Sequence, residues 1–94
     1  MPVYAIAQGR TVNRPMHDDY VQKALPTRPQ YGAKILVVTE TPVMIEGATE
    51  HPRFVLLEFP SREAFHAWYD SPEYQAIIHL RHESVVGTIA LLEG

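Results

Sequence analysis

The sequence predicts one α+β domain in which strands and helices follow each other in the order β-α-β-β-α-β. Short runs rich in β-branched and aromatic residues alternate with segments whose apolar residues recur at helical spacing. The length of 94 residues is that of a single domain, so residues 1–94 form one unit. Hydrophobic residues make up 46% of the chain and charged residues 20%, which is typical of a globular protein.

The first half of the chain is predicted to contain a strand, a helix and a second strand. Val3 to Gly9 is a short apolar run and predicts the first strand. Asn13 and the following Pro15 are typical of a helix start, and apolar residues then recur as far as Leu25. Two prolines follow and predict an irregular stretch. Lys34 to Thr41 is rich in β-branched residues and predicts the second strand.

Two main strands are predicted after Pro42, preceded by one short strand in the middle of the chain. Val43 to Gly47 is predicted as a short strand after a turn or bulge at Pro42. Arg53 to Phe59 is the clearest strand of the chain, and Thr88 to Glu93 is the last one.

The second helical region is predicted to be split. Ser61 is a good N-cap for its first part. Ser71 and Pro72 restart the helix, because serine suits the N-cap and proline the first helical position. The restarted part carries four residues at i, i+3, i+4 and i+7, namely Tyr74, Ile77, Ile78 and Arg81. The complete order is that of a ferredoxin-like fold, with an antiparallel sheet and the helices on one face.

Both faces of this sheet are predicted to be apolar. Alternate strand residues face opposite sides, so Phe54, Leu56 and Glu58 oppose Val55, Leu57 and Phe59. Two helices can cover only one face, and a solvated second face would be polar. The sequence therefore predicts a homodimer whose sheets pack face to face as a closed or nearly closed α+β barrel. The alternative is a monomer with an apolar face in water.

Composition and motifs narrow the range of partners and cofactors. The net charge is −3 with scattered basic residues, so no nucleic-acid partner is expected. No apolar run is long enough for a membrane span, and the N-terminus lacks the features of a signal peptide. The absence of cysteine fits a cytoplasmic protein and excludes thiolate chemistry. No metal site and no organic cofactor are expected, because no nucleotide-binding or metalloprotease motif is present.

Arg81 is the first candidate for chemistry. Its spacing places it on an apolar helix face, where a guanidinium needs a partner. Glu58 on the strongest strand is the predicted carboxylate, since arginine can hold a carboxylate with two hydrogen bonds. The pair is interpreted either as a substrate-orienting site or as a buried salt bridge that only stabilises the fold.

Three aromatic residues and one histidine complete the candidate site. Trp68, Tyr74 and Tyr20 are predicted to line a substrate-binding pocket, with ordinary core packing as the alternative. His17 lies beside two aspartates at the start of the first helix and is a candidate acid or base. Its alternative is a solvent-exposed position.

The second half of the chain also resembles a known family. Glu58-Phe59-Pro60-Ser61, Trp68-Tyr69, Ser71-Pro72-Glu73-Tyr74-Gln75, Leu80-Arg81 and Glu93-Gly94 resemble the domain of unknown function 1330 family, with weaker similarity at Tyr31-Gly32 and Glu46-Gly47. That family resembles the dimeric α+β barrel superfamily, which includes small cofactor-free monooxygenases and isomerases. Ala33 departs from the family pattern, which usually has a second glycine after the tyrosine-glycine pair. The resemblance thus implies the same fold and a homodimer.

Two hypotheses of function follow. In the first, the protein is a cofactor-independent enzyme or a binder that takes a small, partly apolar anionic metabolite between sheet and helices. In the second, it is a non-catalytic homodimer in which Arg81 and Glu58 form a core salt bridge. A cavity lined by titratable groups favours the first hypothesis, and a sealed ion pair favours the second.

Overall fold

A computed structural model describes all 94 residues and contains one four-stranded sheet. Its strands are β1 (Val3–Thr11), β2 (Lys34–Thr39), β3 (Arg53–Phe59) and β4 (Val85–Leu92). They lie in the order β2-β3-β1-β4, and every neighbouring pair is antiparallel. The predicted α+β, ferredoxin-like fold is confirmed.

The helices pack on one side of this sheet. They are α1 (Arg14–Ala24), α2 (Arg62–Tyr69), α3 (Pro72–Gln75) and α4 (Ile78–Ser84). Two 3-10 turns, Leu25–Thr27 and Pro29–Tyr31, follow α1 where the prolines prevent a longer helix. No helix is long or apolar enough to span a bilayer.

Side-chain caps fix where three of the helices begin. The Asn13 side chain accepts a hydrogen bond from the Met16 amide at 3.2 Å. The Ser61 hydroxyl oxygen accepts one from Ala64 at 3.1 Å and starts α2. Each bond satisfies an amide that the first helical turn leaves without a partner. Ser71 starts α3 in the same way, as the sequence predicted.

Two predicted elements differ from the structure. Val43–Gly47 does not form a strand, and the segment between β2 and β3 is irregular. Pro42 supplies no amide hydrogen, and Gly47 turns the chain with φ of 76°, so this segment cannot continue the ladder of β2. The restarted helix is also not continuous, because the chain leaves the helix at Ala76 and Ile77 between α3 and α4.

An aromatic core lies between the sheet and the helices. The Trp68 ring lies 4.1 Å from the Tyr74 ring and 5.5 Å from the Phe59 ring, measured between centroids. Ala5 and Leu57 form part of the sheet surface beneath them and are buried. Since burial of an aromatic side chain stabilises a fold by a few kcal/mol, this cluster is the main apolar contribution of the small domain.

The other face of the sheet has no helix over it. Because side chains alternate along a strand, the residues next to the buried ones point to this uncovered face. The strand register aligns these residues in rows across the sheet. One row across all four strands is entirely apolar and consists of Val37, Leu56, Ile6 and Ala90. We call this side of the sheet the open face. Its apolar row agrees with the expectation that both faces of the sheet are mostly apolar.

Candidate functional site

The helix-covered side of the sheet contains a cavity of about 130 Å³ between the strands, α1, the 3-10 turns and α4. Thirteen of the 19 residues that line it are hydrophobic, including Ala7, Val55 and Ile89 from three strands. Gly9, which also lines the cavity, pairs with Gly87 across β1 and β4. Because neither residue has a side chain, the sheet contributes little bulk at this position. Small-molecule sites are typically concave, mostly apolar and equipped with a few polar groups.

Three arginines line this apolar cavity. Arg28 joins the two 3-10 turns, Arg53 begins β3, and Arg81 lies in α4. They come from three separate parts of the chain and are brought together only by the fold. Three guanidinium groups in one small cavity make it a strongly cationic environment, since arginine keeps its charge in proteins.

Arg53 is held by an ion-pair network at the edge of the cavity. The two terminal nitrogens of Arg14 donate to the two carboxylate oxygens of Glu40 at 3.2 and 2.8 Å. Arg53 approaches the same carboxylate at 3.6 Å, and its side chain is only 16% exposed. The hydrogen bond from Arg14 holds the pKa of Glu40 below its usual range, while burial lowers the pKa of Arg53. Glu40 therefore remains ionised and shares its charge between two cations.

Arg28 and Arg81 have no carboxylate at salt-bridge distance. The Nε of Arg28 is buried without a hydrogen-bond partner, and its guanidinium carbon lies 5.9 Å from the centre of the Trp68 ring. Such a cation–π contact stabilises the guanidinium but uses none of its hydrogen-bond donors. Both arginines can therefore donate to an anion in the cavity.

The predicted ion pair between Arg81 and Glu58 is wrong. The polar contact of Arg81 is a long one, 3.5 Å from Nη2 to the carbonyl oxygen of Thr88. Glu58 lies on the open face, because its neighbours Leu57 and Phe59 are buried beneath the helices. Arg81 and Glu58 are thus on opposite sides of the sheet, and Glu58 takes no part in the cavity.

His17 is a buried member of the cavity wall. It is 3% exposed, and its Nδ1 has no hydrogen-bond partner in the chain. Burial lowers the pKa of His17, and the nearby charges of Arg53 and Arg14 lower it further. The imidazole is therefore neutral at pH 7. Neither neighbouring aspartate hydrogen-bonds to its Nδ1, so the predicted orientation by aspartate is absent.

The aromatic candidates divide into two groups. Tyr20 and Trp68 line the cavity, whereas Tyr74 does not and is completely buried behind Tyr20. The hydroxyl oxygens of the two tyrosines lie 2.8 Å apart. Trp68 donates from Nε1 to the Thr27 hydroxyl at 2.9 Å. These polar ends are satisfied inside the protein, so Tyr20 and Trp68 offer a ligand mainly their apolar surfaces.

Arg28 and Arg53 were not among the site residues predicted from the sequence. The alternation of side chains along β3 could have indicated Arg53. This residue lies on the same face of the strand as Val55, Leu57 and Phe59 and is the one charged residue on that otherwise apolar face. Arg28 lies between two prolines in irregular chain, where no periodicity reveals the direction of a side chain. No group of three or more His, Asp or Glu residues is arranged to hold a metal ion.

Comparison with known proteins agrees with this architecture. The sequence profile of the domain of unknown function DUF1330 matches residues 2–94. No curated protein matches the sequence. The RPA0582 protein of unknown function from Rhodopseudomonas palustris superposes with a TM-score of 0.83 at 17% identity, over 99% of this chain and 82% of that one.

Two further solved structures share the fold. A dimeric ferredoxin-like protein of unknown function from Jannaschia sp. CCS1 superposes with a TM-score of 0.71 at 16% identity, over 100% of both chains. SnoaB from Streptomyces nogalater, described as a cofactor-independent oxygenase, superposes with a TM-score of 0.68 at 8% identity, over 99% of this chain and 92% of that one. At such identities the likeness shows the fold alone.

Proposed function

Since the chain belongs to the DUF1330 family, a domain of unknown function, its role has to come from the cavity itself, and we propose that it binds a small, partly apolar carboxylate there. One observation carries the proposal. Arg28, Arg53 and Arg81 converge on a cavity whose other walls are mostly hydrophobic. A fold that needed only an apolar core would not place three guanidinium groups in it, because each loses hydration there.

The size of the cavity limits the ligand. A volume of about 130 Å³ is close to that of an engineered protein cavity that accommodates benzene, roughly 150 Å³. The hydrocarbon part of the ligand is therefore a short branched chain or a single ring. Val55 and Ile89 from the sheet and the Trp68 ring form its apolar contacts.

The charges of the cavity select the anionic group. A carboxylate can accept two parallel hydrogen bonds from one guanidinium, and such charge-assisted bonds are about twice as strong as neutral ones. Arg81 and Arg28 have no competing carboxylate within the protein, whereas Arg53 already approaches Glu40. We therefore assign the main contact with the ligand to Arg81 and Arg28.

The chemistry favoured by this site needs no metal or organic cofactor. His17 is a neutral base in the cavity wall, and guanidinium groups can stabilise negative charge that develops on a substrate. The likeness in fold to a cofactor-independent oxygenase is compatible with catalysis. Binding without turnover is the second candidate, and it requires the same arginines but no proton transfer by His17.

The same proposal includes a homodimer formed through the open face. Its support is the apolar row of Val37, Leu56, Ile6 and Ala90 and the dimeric state of the Jannaschia protein. A second copy that covers this row removes it from water, and a twofold dimer uses the same surface on both subunits. The cavity lies on the other side of the sheet, so both subunits keep their own site.

Thermal-shift measurements with small carboxylates test the binding proposal. Benzoate, phenylacetate and 3-methylbutanoate, each at millimolar concentration, should raise the melting temperature of the wild type by mass action. Arg81→Lys should fold but lose most of this shift, because lysine cannot make the bidentate contact. Arg62→Lys is the matched control, since Arg62 is exposed on α2 and pairs with Glu93 away from the cavity. Equal shifts in wild type and Arg81→Lys, or no shift with any carboxylate, would contradict the proposal.

A further inference from the structure

Two polar groups in the cavity wall have no partner within the chain, the Nε of Arg28 and the Nδ1 of His17. His17 is 97% buried, since only 3% of its surface is exposed, and its Nδ1 makes no hydrogen bond. Buried polar groups are almost always paired, because an unpaired one costs free energy of folding. A histidine in this position is explained when it pairs with a molecule that enters the cavity.

The charges around His17 determine the protonation state of its imidazole in the cavity. Arg14 and Asp18 face it from its own helix, Arg53 from the start of β3, and Glu40 from the end of β2. The two cations and burial together outweigh the two carboxylates, so the imidazole is neutral. A neutral imidazole has one nitrogen that donates and one that accepts a hydrogen bond.

We propose that the carboxylate bound in the cavity also carries a hydroxyl group, and that His17 recognises this hydroxyl. The ligand is thus a small hydroxy acid with an apolar remainder. This inference rests on the proposed function, since it adds a second polar group to the same ligand. A hydroxyl suits the imidazole because it can either donate to or accept from it.

The arginines exclude an ammonium group, which is the other common substituent of small carboxylic acids. An ammonium group in place of the hydroxyl would lie in a cavity lined by Arg28, Arg53 and Arg81, where like charges repel in an environment of low polarity. Amino acids are therefore poor ligands. The three contacts divide the ligand into a carboxylate for the arginines, a hydroxyl for His17 and a hydrocarbon group for the apolar walls.

Three compounds with one carbon skeleton test this assignment by titration calorimetry. They are 2-hydroxy-3-methylbutanoate, 3-methylbutanoate and valine, which differ only in a hydroxyl, a hydrogen or an ammonium group. The wild type should bind the hydroxy acid at least about tenfold more tightly than 3-methylbutanoate, as expected for one hydrogen bond to a buried group. Valine should bind more weakly than either.

Substitution of the histidine should remove this preference without removing binding. His17→Phe should bind the hydroxy acid and 3-methylbutanoate with equal affinity, while His66→Phe, at an exposed position on α2, should keep the wild-type ratio. The nitrogen NMR signals of the His17 ring in the wild type provide a second test that needs no variant. They should shift further with the hydroxy acid than with 3-methylbutanoate, because only the hydroxy acid can hydrogen-bond to the ring.

The outcomes separate this inference from the function on which it rests. If the wild type binds the hydroxy acid and 3-methylbutanoate equally, the hydroxyl assignment is overturned and the carboxylate site stands. If it binds neither compound, both proposals fail. If His17→Phe keeps the tenfold preference, another group recognises the hydroxyl and the role of His17 is refuted.

Discussion

The hydroxyl groups of Tyr20 and Tyr74 hydrogen-bond to each other at 2.8 Å in the interior of the protein. Tyr20 also forms part of the cavity wall, while Tyr74 is completely buried behind it. This single bond links the helix that carries His17 to the helical region that leads to Arg81. Burial raises the pKa of Tyr74, so its hydroxyl stays protonated and serves as a structural partner.

The tyrosine pair predicts a non-additive effect of two substitutions. Tyr20→Phe and Tyr74→Phe each leave one buried hydroxyl without a partner, which costs about 1–3 kcal/mol of unfolding free energy. The double variant leaves none, so its loss should be smaller than the sum of the two single losses. Urea unfolding of the four proteins measures this coupling. Additive losses would mean that the hydroxyls do not depend on each other.

His17 predicts a specific dependence of stability on pH. Its pKa is lowered in the folded state, so below about 6.5 the unfolded chain takes up a proton that the folded chain rejects. The wild type should therefore lose stability as the pH falls from 7.5 towards the lowered pKa, by about 1.4 kcal/mol for each unit of depression. Below that value His17 adds no further loss.

His17→Gln isolates this contribution. As the pH falls, the unfolding free energy of the wild type should decrease more than that of His17→Gln. His66→Gln, at an exposed position, should follow the wild-type curve. Parallel curves for wild type and His17→Gln would show that His17 titrates alike in the folded and unfolded states and is not buried.

Much of the fold could be predicted from the sequence because local rules determine it. The strands follow from β-branched runs, and the caps at Asn13, Ser61 and Ser71 follow from side-chain hydrogen bonding to the first turn. Val43–Gly47 was predicted wrongly because a short apolar run satisfies a strand pattern even when no neighbouring strand pairs with it.

The site could be predicted only in part. Alternation divides β3 into two sets, but each set contains one charged residue, Arg53 or Glu58, so the pattern alone does not decide which set faces the helices. The wrong choice placed Glu58 beside Arg81. Arg28 lies in an irregular turn, and its direction depends on contacts with Trp68 that no local pattern contains.

The open face predicts the effect of a charge at its centre. Light scattering after gel filtration should give twice the chain mass of 10.7 kDa for the wild type at micromolar concentration. Leu56→Glu should give the mass of the single chain, because a carboxylate buried between two sheets loses its hydration. Ala67→Glu, on the exposed side of α2, should remain dimeric. A monomeric wild type would refute the dimer.

Gly87 predicts a steric limit on the sheet. A Cβ atom at this position would lie 2.0 Å from the carbonyl oxygen of Gln8 and 2.6 Å from the Cα of Gly9. Gly87→Ala must therefore push β4 away from β1 and should cost about 1–3 kcal/mol of unfolding free energy, as overpacking usually does. Gly94→Ala has open space around it and should be neutral in the same urea titration. If Gly87→Ala were as stable as the wild type, β1 and β4 would have to be further apart than described.

Trp68 allows the most direct measurement of the central claim, because it is the single tryptophan of the chain and lines the cavity beside Arg28. Titration of the wild type with 3-methylbutanoate or its 2-hydroxy derivative should change the Trp68 fluorescence along a saturable curve. Arg81→Lys should require a much higher concentration for the same change, and Arg62→Lys should match the wild type. A fluorescence change that never saturates and is the same in wild type and Arg81→Lys would contradict a carboxylate site in this cavity.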